Sequence, residues 1–168
     1  MSPTRSQAYR TGGSALVVAA GVIIAALLFE HVGGHVPCPL CLQQRWAYYA
    51  GIPALFLAMT LVGADRPRAA GLLFLAVAIA FLANTGLGVY QAGAEWGYWP
   101  GPETCGTVQA ITGSAGDLLK RLETTTVVRC DEASWRFAGL SFAGWNAVVS
   151  FVLFVAGLRA AFAAVEKR

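Results

Sequence analysis

Charged residues are scarce in this sequence. Only 12% of its 168 residues are Asp, Glu, Lys or Arg, about half the share found in ordinary soluble domains. Basic residues are too sparse for nucleic-acid binding, and the sequence has no glycine-rich phosphate-binding loop, no Ser/His/Asp triad and no paired-carboxylate site. Hydrophobic residues make up 57% of the chain. This composition predicts an integral membrane protein.

Four uncharged apolar stretches recur along the chain, at residues 11–29, 46–64, 69–94 and 137–158. Each can cross a hydrocarbon core of about 30 Å, which takes about 20 helical residues. We predict one domain, residues 1–168, folded as an all-α antiparallel bundle of four transmembrane helices at about 12–30, 41–64, 69–92 and 137–160. The first stretch could instead be a signal peptide, but no small-residue cleavage motif follows it, so a retained helix is favoured.

Basic residues cluster on one side of this arrangement, and the positive-inside rule makes that side cytoplasmic. Both termini are therefore predicted in the cytoplasm of a bacterial cell, with the loops at about 31–40 and 93–136 in the periplasm, as in an inner-membrane protein. All four cysteines lie in these loops or at their boundary, in the compartment where disulfides persist. The basic residues on the predicted cytoplasmic side are Arg5, Arg10, Arg66, Arg68, Arg159, Lys167 and Arg168.

The tetrapeptide Cys38-Pro39-Leu40-Cys41 stands at the mouth of the second apolar stretch. Such a pair can interconvert between dithiol and disulfide, and the thiolate is its reactive form. On a helix that begins near Cys41, Arg45 would lie one turn later on the same face. An arginine within a membrane is a functional candidate, although it can also extend to the lipid headgroups. Gln43 and Gln44 add donors for a carbonyl oxygen.

Four cysteines permit three disulfide pairings. Cys38 with Cys41 is the local choice, and it leaves Cys105 and Cys130 as a second pair that closes a long loop. Two other interpretations stay open. The first pair could be half of a zinc site, although Cys105 and Cys130 are spaced too widely for a zinc knuckle, so we expect no metal. The disulfides could also be purely structural and serve only to cross-link loops.

The long loop is predicted to contain a short amphipathic helix. Apolar residues recur there at helical spacing opposite charged ones, as in a helix that lies on a membrane surface. Its apolar positions are Val108, Ile111, Ala115, Leu118, Leu119 and Leu122. Such a helix would hold the loop cysteines near the bilayer, within reach of the first pair.

With these motifs the sequence resembles the DsbB family of disulfide bond formation proteins. The resemblance implies a four-helix inner-membrane enzyme that reoxidises the periplasmic thiol oxidase DsbA and passes the electrons to quinone. It covers most of the chain, roughly residues 14–160. The matching segments are Pro37–Cys41, Gln44-Arg45, Gly101–Cys105 and Cys130–Trp135.

The resemblance also implies a relay of electrons through the cysteines. Cys105–Cys130 would be the disulfide that reduced DsbA attacks, with Cys105 forming the mixed disulfide and Cys130 passing electrons to Cys38. Cys41 would then reduce the quinone.

Three polar residues are candidates for binding that quinone. Arg45 would polarise a quinone oxygen and favour the Cys41 thiolate, with Gln44 beside it. The family often has a histidine or another polar residue near the outer end of the third helix, and here Gln91 occupies that neighbourhood. Ubiquinone and menaquinone both remain open as the acceptor.

Two alternatives remain for the function. The vitamin K epoxide reductase family also joins a helical membrane bundle to a quinone-reactive Cys-x-x-Cys pair, but there the loop pair precedes that motif, the reverse of the order here. A non-catalytic membrane scaffold stapled by disulfides is the other alternative.

Overall fold

The computed structural model describes residues 3–101, 133 and 135–166. Within these residues it has four long helices, α1 (Pro3–His31), α2 (Pro39–Gly63), α3 (Pro67–Glu95) and α4 (Phe142–Val165), and a hairpin of two short strands, β1 (Arg136–Phe137) and β2 (Leu140–Ser141). All four helices are long and apolar enough to cross a membrane. The predicted four-helix membrane bundle is confirmed, and the chain is a multi-pass membrane protein. Cys105, Cys130 and the amphipathic helix predicted between them lie outside the described residues.

Helix α2 begins at Pro39, two residues before the predicted start, and Cys38 is its N-cap. Proline suits the first position of a helix because its missing N–H would have no intrahelical partner there. The Cys38 sulfur accepts a hydrogen bond from the backbone N–H of Cys41 at 3.2 Å. The helix start therefore holds both cysteines within one turn.

Helix α4 begins at Phe142 rather than at about residue 137. The hairpin occupies the intervening residues, and its turn places Ala138 and Gly139 in the left-handed region, with φ of 50° and 83°. Ser141 then caps α4 by accepting a hydrogen bond from Gly144 N at 3.2 Å. The apolar residues of the hairpin continue the apolar run of the helix, so hydrophobicity alone does not separate the two.

The helices pack closely through small residues. α3 and α4 share the most extensive interface, α1 packs on α2 and α4, and α2 packs on α3. At Gly88 a Cβ would lie 3.0 Å from the backbone nitrogen of Ala147, and at Gly157 it would lie 3.2 Å from the Ala78 Cβ. Small residues at such points let helix backbones approach each other in a membrane, where van der Waals packing drives association.

Candidate redox site

The two cysteines of the helix-start motif lie together at one end of the bundle, which we call the cysteine end. They are two free thiols, and their sulfurs are 2.8 Å apart. Cys38 is buried, with 4% of its surface exposed, whereas Cys41 is partly exposed. The hydrogen bond with Cys41, together with burial, raises the pKa of the Cys38 thiol above its usual value. This shift favours the protonated thiol at Cys38, whereas the thiolate is the reactive form of cysteine.

Gln91 of α3 reaches both sulfurs. Its Nε2 lies 3.3 Å from Cys38 Sγ and 3.3 Å from Cys41 Sγ. The same nitrogen donates to Glu95 Oε1 at 3.2 Å. Gln91 is buried, with 2% of its surface exposed, so its amide is committed to these partners. An N–H donor stabilises a sulfur that carries negative charge, because hydrogen bonds to the charged form favour that form.

A chain of side-chain hydrogen bonds leads from Gln91 into the bundle. Gln44 Nε2 donates to Gln91 Oε1 at 2.6 Å, and Asn146 Nδ2 of α4 donates to Gln44 Oε1 at 2.5 Å. Tyr48 OH donates to Asn146 Oδ1 at 2.7 Å. Polar groups in hydrocarbon must find partners within the protein, and this chain supplies them across α2, α3 and α4. It also fixes the rotation of those three helices about the cysteines.

The chain continues one step deeper. Tyr48 OH lies 3.3 Å from Ser150 Oγ, and Asn84 Nδ2 of α3 donates to Ser150 Oγ at 2.9 Å. Ser150 and Asn84 are both buried. The polar chain therefore runs from the cysteine end to the middle of α3 and α4.

A cavity of about 450 Å³ opens beside the cysteines. Cys38, Cys41, Gln44 and Arg45 contribute to its polar wall, and apolar side chains of α1 and α4, such as Val22 and Val149, form much of the remainder. Cavities of 300–1,000 Å³ that are mostly apolar with a few polar groups are typical of small-molecule sites. The cavity can therefore hold an apolar molecule against a thiol.

Arg45 lies in the cavity wall and forms an ion pair with Glu30 of α1. Their side chains are only 12% and 27% exposed. A buried guanidinium needs such a partner, because an isolated charge away from water is very unfavourable. The pair joins α1 to α2 and holds the guanidinium beside the cavity.

Aromatic rings border the same cavity. Phe29 of α1 packs edge-on against Phe142 of α4 with ring centroids 5.0 Å apart, and Trp135 stacks on Phe142 at 4.8 Å. His35 lies next to this group, 6.0 Å from the Phe29 ring. Flat rings of this kind can pack against a planar ligand.

Comparisons with known proteins identify the family of this chain. The family model described as "Disulfide bond formation protein DsbB" matches residues 10–160. The chain belongs to the DsbB family. A curated Disulfide bond formation protein B of Marinobacter nauticus is 33% identical over 155 residues, 87% of each chain, and that of Aromatoleum aromaticum is 32% identical over 136 residues, 78% of each chain. No solved structure matches the sequence at a significant level.

Membership of the DsbB family makes the chain a membrane protein of disulfide bond formation, a protein-disulfide oxidoreductase. The structure brings five sequence-predicted site residues to one cavity, namely Cys38, Cys41, Gln44, Arg45 and Gln91. Their individual roles remain predictions. The amide of Gln91 contacts the sulfurs, whereas Arg45 is held at the cavity wall by Glu30.

Four residues of this DsbB-family site were missed by sequence reasoning, namely Glu30, Tyr48, Glu95 and Asn146. Glu30 and Glu95 did carry a signal, since each is an acidic residue at the end of an apolar stretch. Tyr48 and Asn146 gave a weaker sequence signal, because a single polar residue within an apolar run does not reveal which residue it will bond to. Among the described residues, no three His, Cys, Asp or Glu side chains come together as a metal site requires.

Proposed function

We propose that this DsbB-family chain reoxidises a DsbA-type thiol oxidase of the periplasm and passes the electrons to quinone in the membrane. The observation that carries the proposal is the shared cavity at the cysteine end, where a dithiol and a buried arginine meet an apolar wall. As a disulfide, the pair can accept electrons by exchange with a reduced thiol, and as a dithiol it can donate them to a lipid-soluble acceptor in the apolar cavity.

Electrons enter through the loop cysteines in this proposal. The reduced partner attacks the Cys105–Cys130 disulfide at Cys105, and Cys130 then attacks the Cys38–Cys41 disulfide at Cys38. Each exchange breaks one S–S bond and forms another, so the electron pair moves with the sulfurs. The burial of Cys38 supports this order, because a buried sulfur is poorly accessible to a separate protein.

The cavity residues fit a quinone. Arg45 and Gln44 offer N–H donors to a carbonyl oxygen, Cys41 presents its sulfur, and the aromatic and aliphatic walls fit a flat ring and an isoprenoid tail. When bound, ubiquinone or menaquinone would supply a two-electron acceptor. Glu30 holds Arg45 in place, and Gln91 stabilises negative charge on Cys41.

The cysteine end faces the periplasm in this proposal, both termini lie in the cytoplasm, and the membrane is the bacterial inner membrane. Support comes from the basic residues at the opposite end, where Arg66 and Arg68 lie at the turn between α2 and α3 and Arg5 pairs with Asp65 of that turn. Positive charge marks the cytoplasmic side.

The test mixes the purified protein with a reduced DsbA-type partner and a short-chain ubiquinone. We expect one partner disulfide to form, and therefore two thiols to be oxidised, for each quinone reduced, because each disulfide releases two electrons. Binding is measured separately, from quenching of tryptophan fluorescence by the quinone analogue. Partner oxidation that proceeds equally well without quinone, in the absence of oxygen, would contradict the proposal.

A further inference from the structure

Glu95 has a feature that the proposed function does not use. It is the last residue of α3, and its Oε1 accepts a hydrogen bond from Gln91 at 3.2 Å. Its other carboxyl oxygen, Oε2, is buried and has no hydrogen-bond partner among the described residues. Glu95 also lines the cavity beside Cys38 and Cys41. A buried carboxylate oxygen without a donor is unfavourable, and a proton on that oxygen removes the charge.

The Ser141 side chain and the Arg136 guanidinium lie near the Glu95 carboxyl group. Arg136 donates to the backbone oxygen of Glu95 at 3.3 Å, so its positive charge is close to the carboxyl group but not bonded to Oε2. Glu30 and Arg45 neutralise each other in their ion pair. The titratable or charged groups around the cavity and Glu95 are Glu30, His35, Cys38, Cys41, Arg45, Tyr48 and Arg136.

We propose that Glu95 exchanges a proton with Cys41. When Cys41 becomes a thiolate, its S–H bond breaks and an O–H bond forms on Glu95. When the Cys38–Cys41 disulfide is opened by attack at Cys38, Cys41 leaves as a thiolate and takes that proton back. No electron moves in either proton transfer, and each transfer leaves the net charge of the site unchanged.

Two observations make this exchange possible. Gln91 Nε2 lies 3.3 Å from Cys41 Sγ and 3.2 Å from Glu95 Oε1, so one amide holds the two groups on either side of it. Both also line the cavity of about 450 Å³, which has room for a bridging water of about 30 Å³ with polar partners at hand. Conserving charge matters at this position, because two negative charges in an apolar site repel each other strongly.

The inference deepens the proposed function and depends on it only for the direction of electron flow. It is tested on the full-length protein without quinone. The oxidised pair is opened by dithiothreitol at a series of pH values, and free Cys41 is trapped with iodoacetamide and counted by peptide mass spectrometry. Glu95→Gln keeps the acceptor oxygen for Gln91 but cannot carry the proton, and Glu166→Gln removes an exposed carboxylate at the opposite end of α4 as the control.

We expect wild type to open about tenfold or more faster than Glu95→Gln at acidic pH, since a general acid contributes at least this much. The ratio of the two rates should fall towards one as rising pH removes the proton from Glu95. Taking the ratio cancels the ionisation of dithiothreitol. Glu166→Gln should match wild type throughout, and added formate should accelerate Glu95→Gln but not wild type.

Equal rates for wild type and Glu95→Gln at every pH would overturn the inference, as would a rate difference that neither pH nor formate alters. Should Glu95→Gln fail to fold, Glu95→Asp retains a carboxyl group, and its rate must then show the wild-type pH dependence. Because this assay contains no quinone, a failure of quinone reduction in wild type would refute the proposed function and leave the proton exchange standing.

Discussion

The two halves of the bundle differ in what they bury. The half nearer the cysteines buries five polar side chains. Gln44, Asn84, Gln91 and Ser150 belong to the hydrogen-bonded chain across helices, and Ser141 caps α4. The opposite half buries apolar and small side chains, among them Phe74, Ala8, Ala70 and Ala160, each with no exposed surface. Thr4 is the one buried polar side chain of the opposite half among the described residues, and both halves belong to the same four membrane-spanning helices.

The difference separates two tasks. Apolar packing suffices to hold helices together in lipid, and an interhelical hydrogen bond adds only about 0.6 kcal/mol on average. Stability therefore gives little reason to bury five polar side chains in one half. Gln91 contacts both sulfurs and Gln44 contacts Gln91, which indicates that this half serves the site while the opposite half holds the bundle together. The predictions below test this division.

The largest effect is expected for Cys41→Ser. Quinone reduction should fall by about a thousandfold or more, because the nucleophile is lost, while the helical circular dichroism and the thermal unfolding temperature stay near those of wild type. The measurement pairs a quinone reduction assay with thermal unfolding in the same detergent. A variant that unfolds at a much lower temperature would favour the stapled scaffold.

Phe74→Ala tests the role of the opposite half, and we expect it to change stability rather than activity. Phe74 is fully buried, and its ring lies against Gly12 of α1. Removing the ring leaves a cavity and should lower the free energy of unfolding by about 3 kcal/mol. Where the variant remains folded, its rate of quinone reduction should stay within about twofold of wild type. A large loss of the quinone reduction rate in folded protein would contradict the division of tasks between the two halves.

The overall architecture could be predicted from sequence because hydrocarbon leaves the backbone few options. A spanning segment must satisfy its own N–H and C=O groups, so an uncharged run of about 20 residues becomes a helix. Cys38, Cys41 and Arg45 were predicted for a related reason, since their chemistry is rare at a membrane boundary. The hairpin before α4 was not predicted, because most of its residues are as apolar as those of the helix that follows.

The connections within the site could not be predicted in the same way. Gln44, Gln91 and Asn146 lie on three helices, and their contact depends on how each helix is rotated in the bundle. Close approaches such as the one at Gly88 limit that rotation together with the hydrogen bonds themselves. A sequence pattern predicts which residues share one face of a single helix. These hydrogen bonds depend on how the faces of three helices are oriented towards one another.

Arg45→Ala should have an intermediate effect. The loss of a charged hydrogen-bond donor costs about 1.5–3 kcal/mol, so the Michaelis constant for quinone should rise about tenfold to a hundredfold. Thiol exchange at Cys105 should be largely unchanged, since that step uses no quinone. Arg45→Lys is the control, because it keeps a positive charge opposite Glu30 and should recover part of the affinity. Quinone kinetics equal to wild type would refute the role of Arg45.

Gln44→Met is expected to have the smallest effect, and it tests whether the polar chain serves the sulfurs. Methionine has a similar volume but removes the bonds to Gln91 and Asn146. Leaving both partners unsatisfied should lower stability by about 1 kcal/mol. It should also free the Gln91 amide to turn from the sulfurs, which would slow alkylation of Cys41 at neutral pH by a few-fold.

The matched control is Asn84→Leu, which breaks the far end of the chain at Ser150. If the two variants alter stability alike but only Gln44→Met alters Cys41 reactivity, the chain acts on the site through its near end. Equal effects of the two variants on Cys41 reactivity would instead mean that the whole hydrogen-bonded chain responds as one unit. The boundary between the two halves would then lie deeper in the bundle than Asn84.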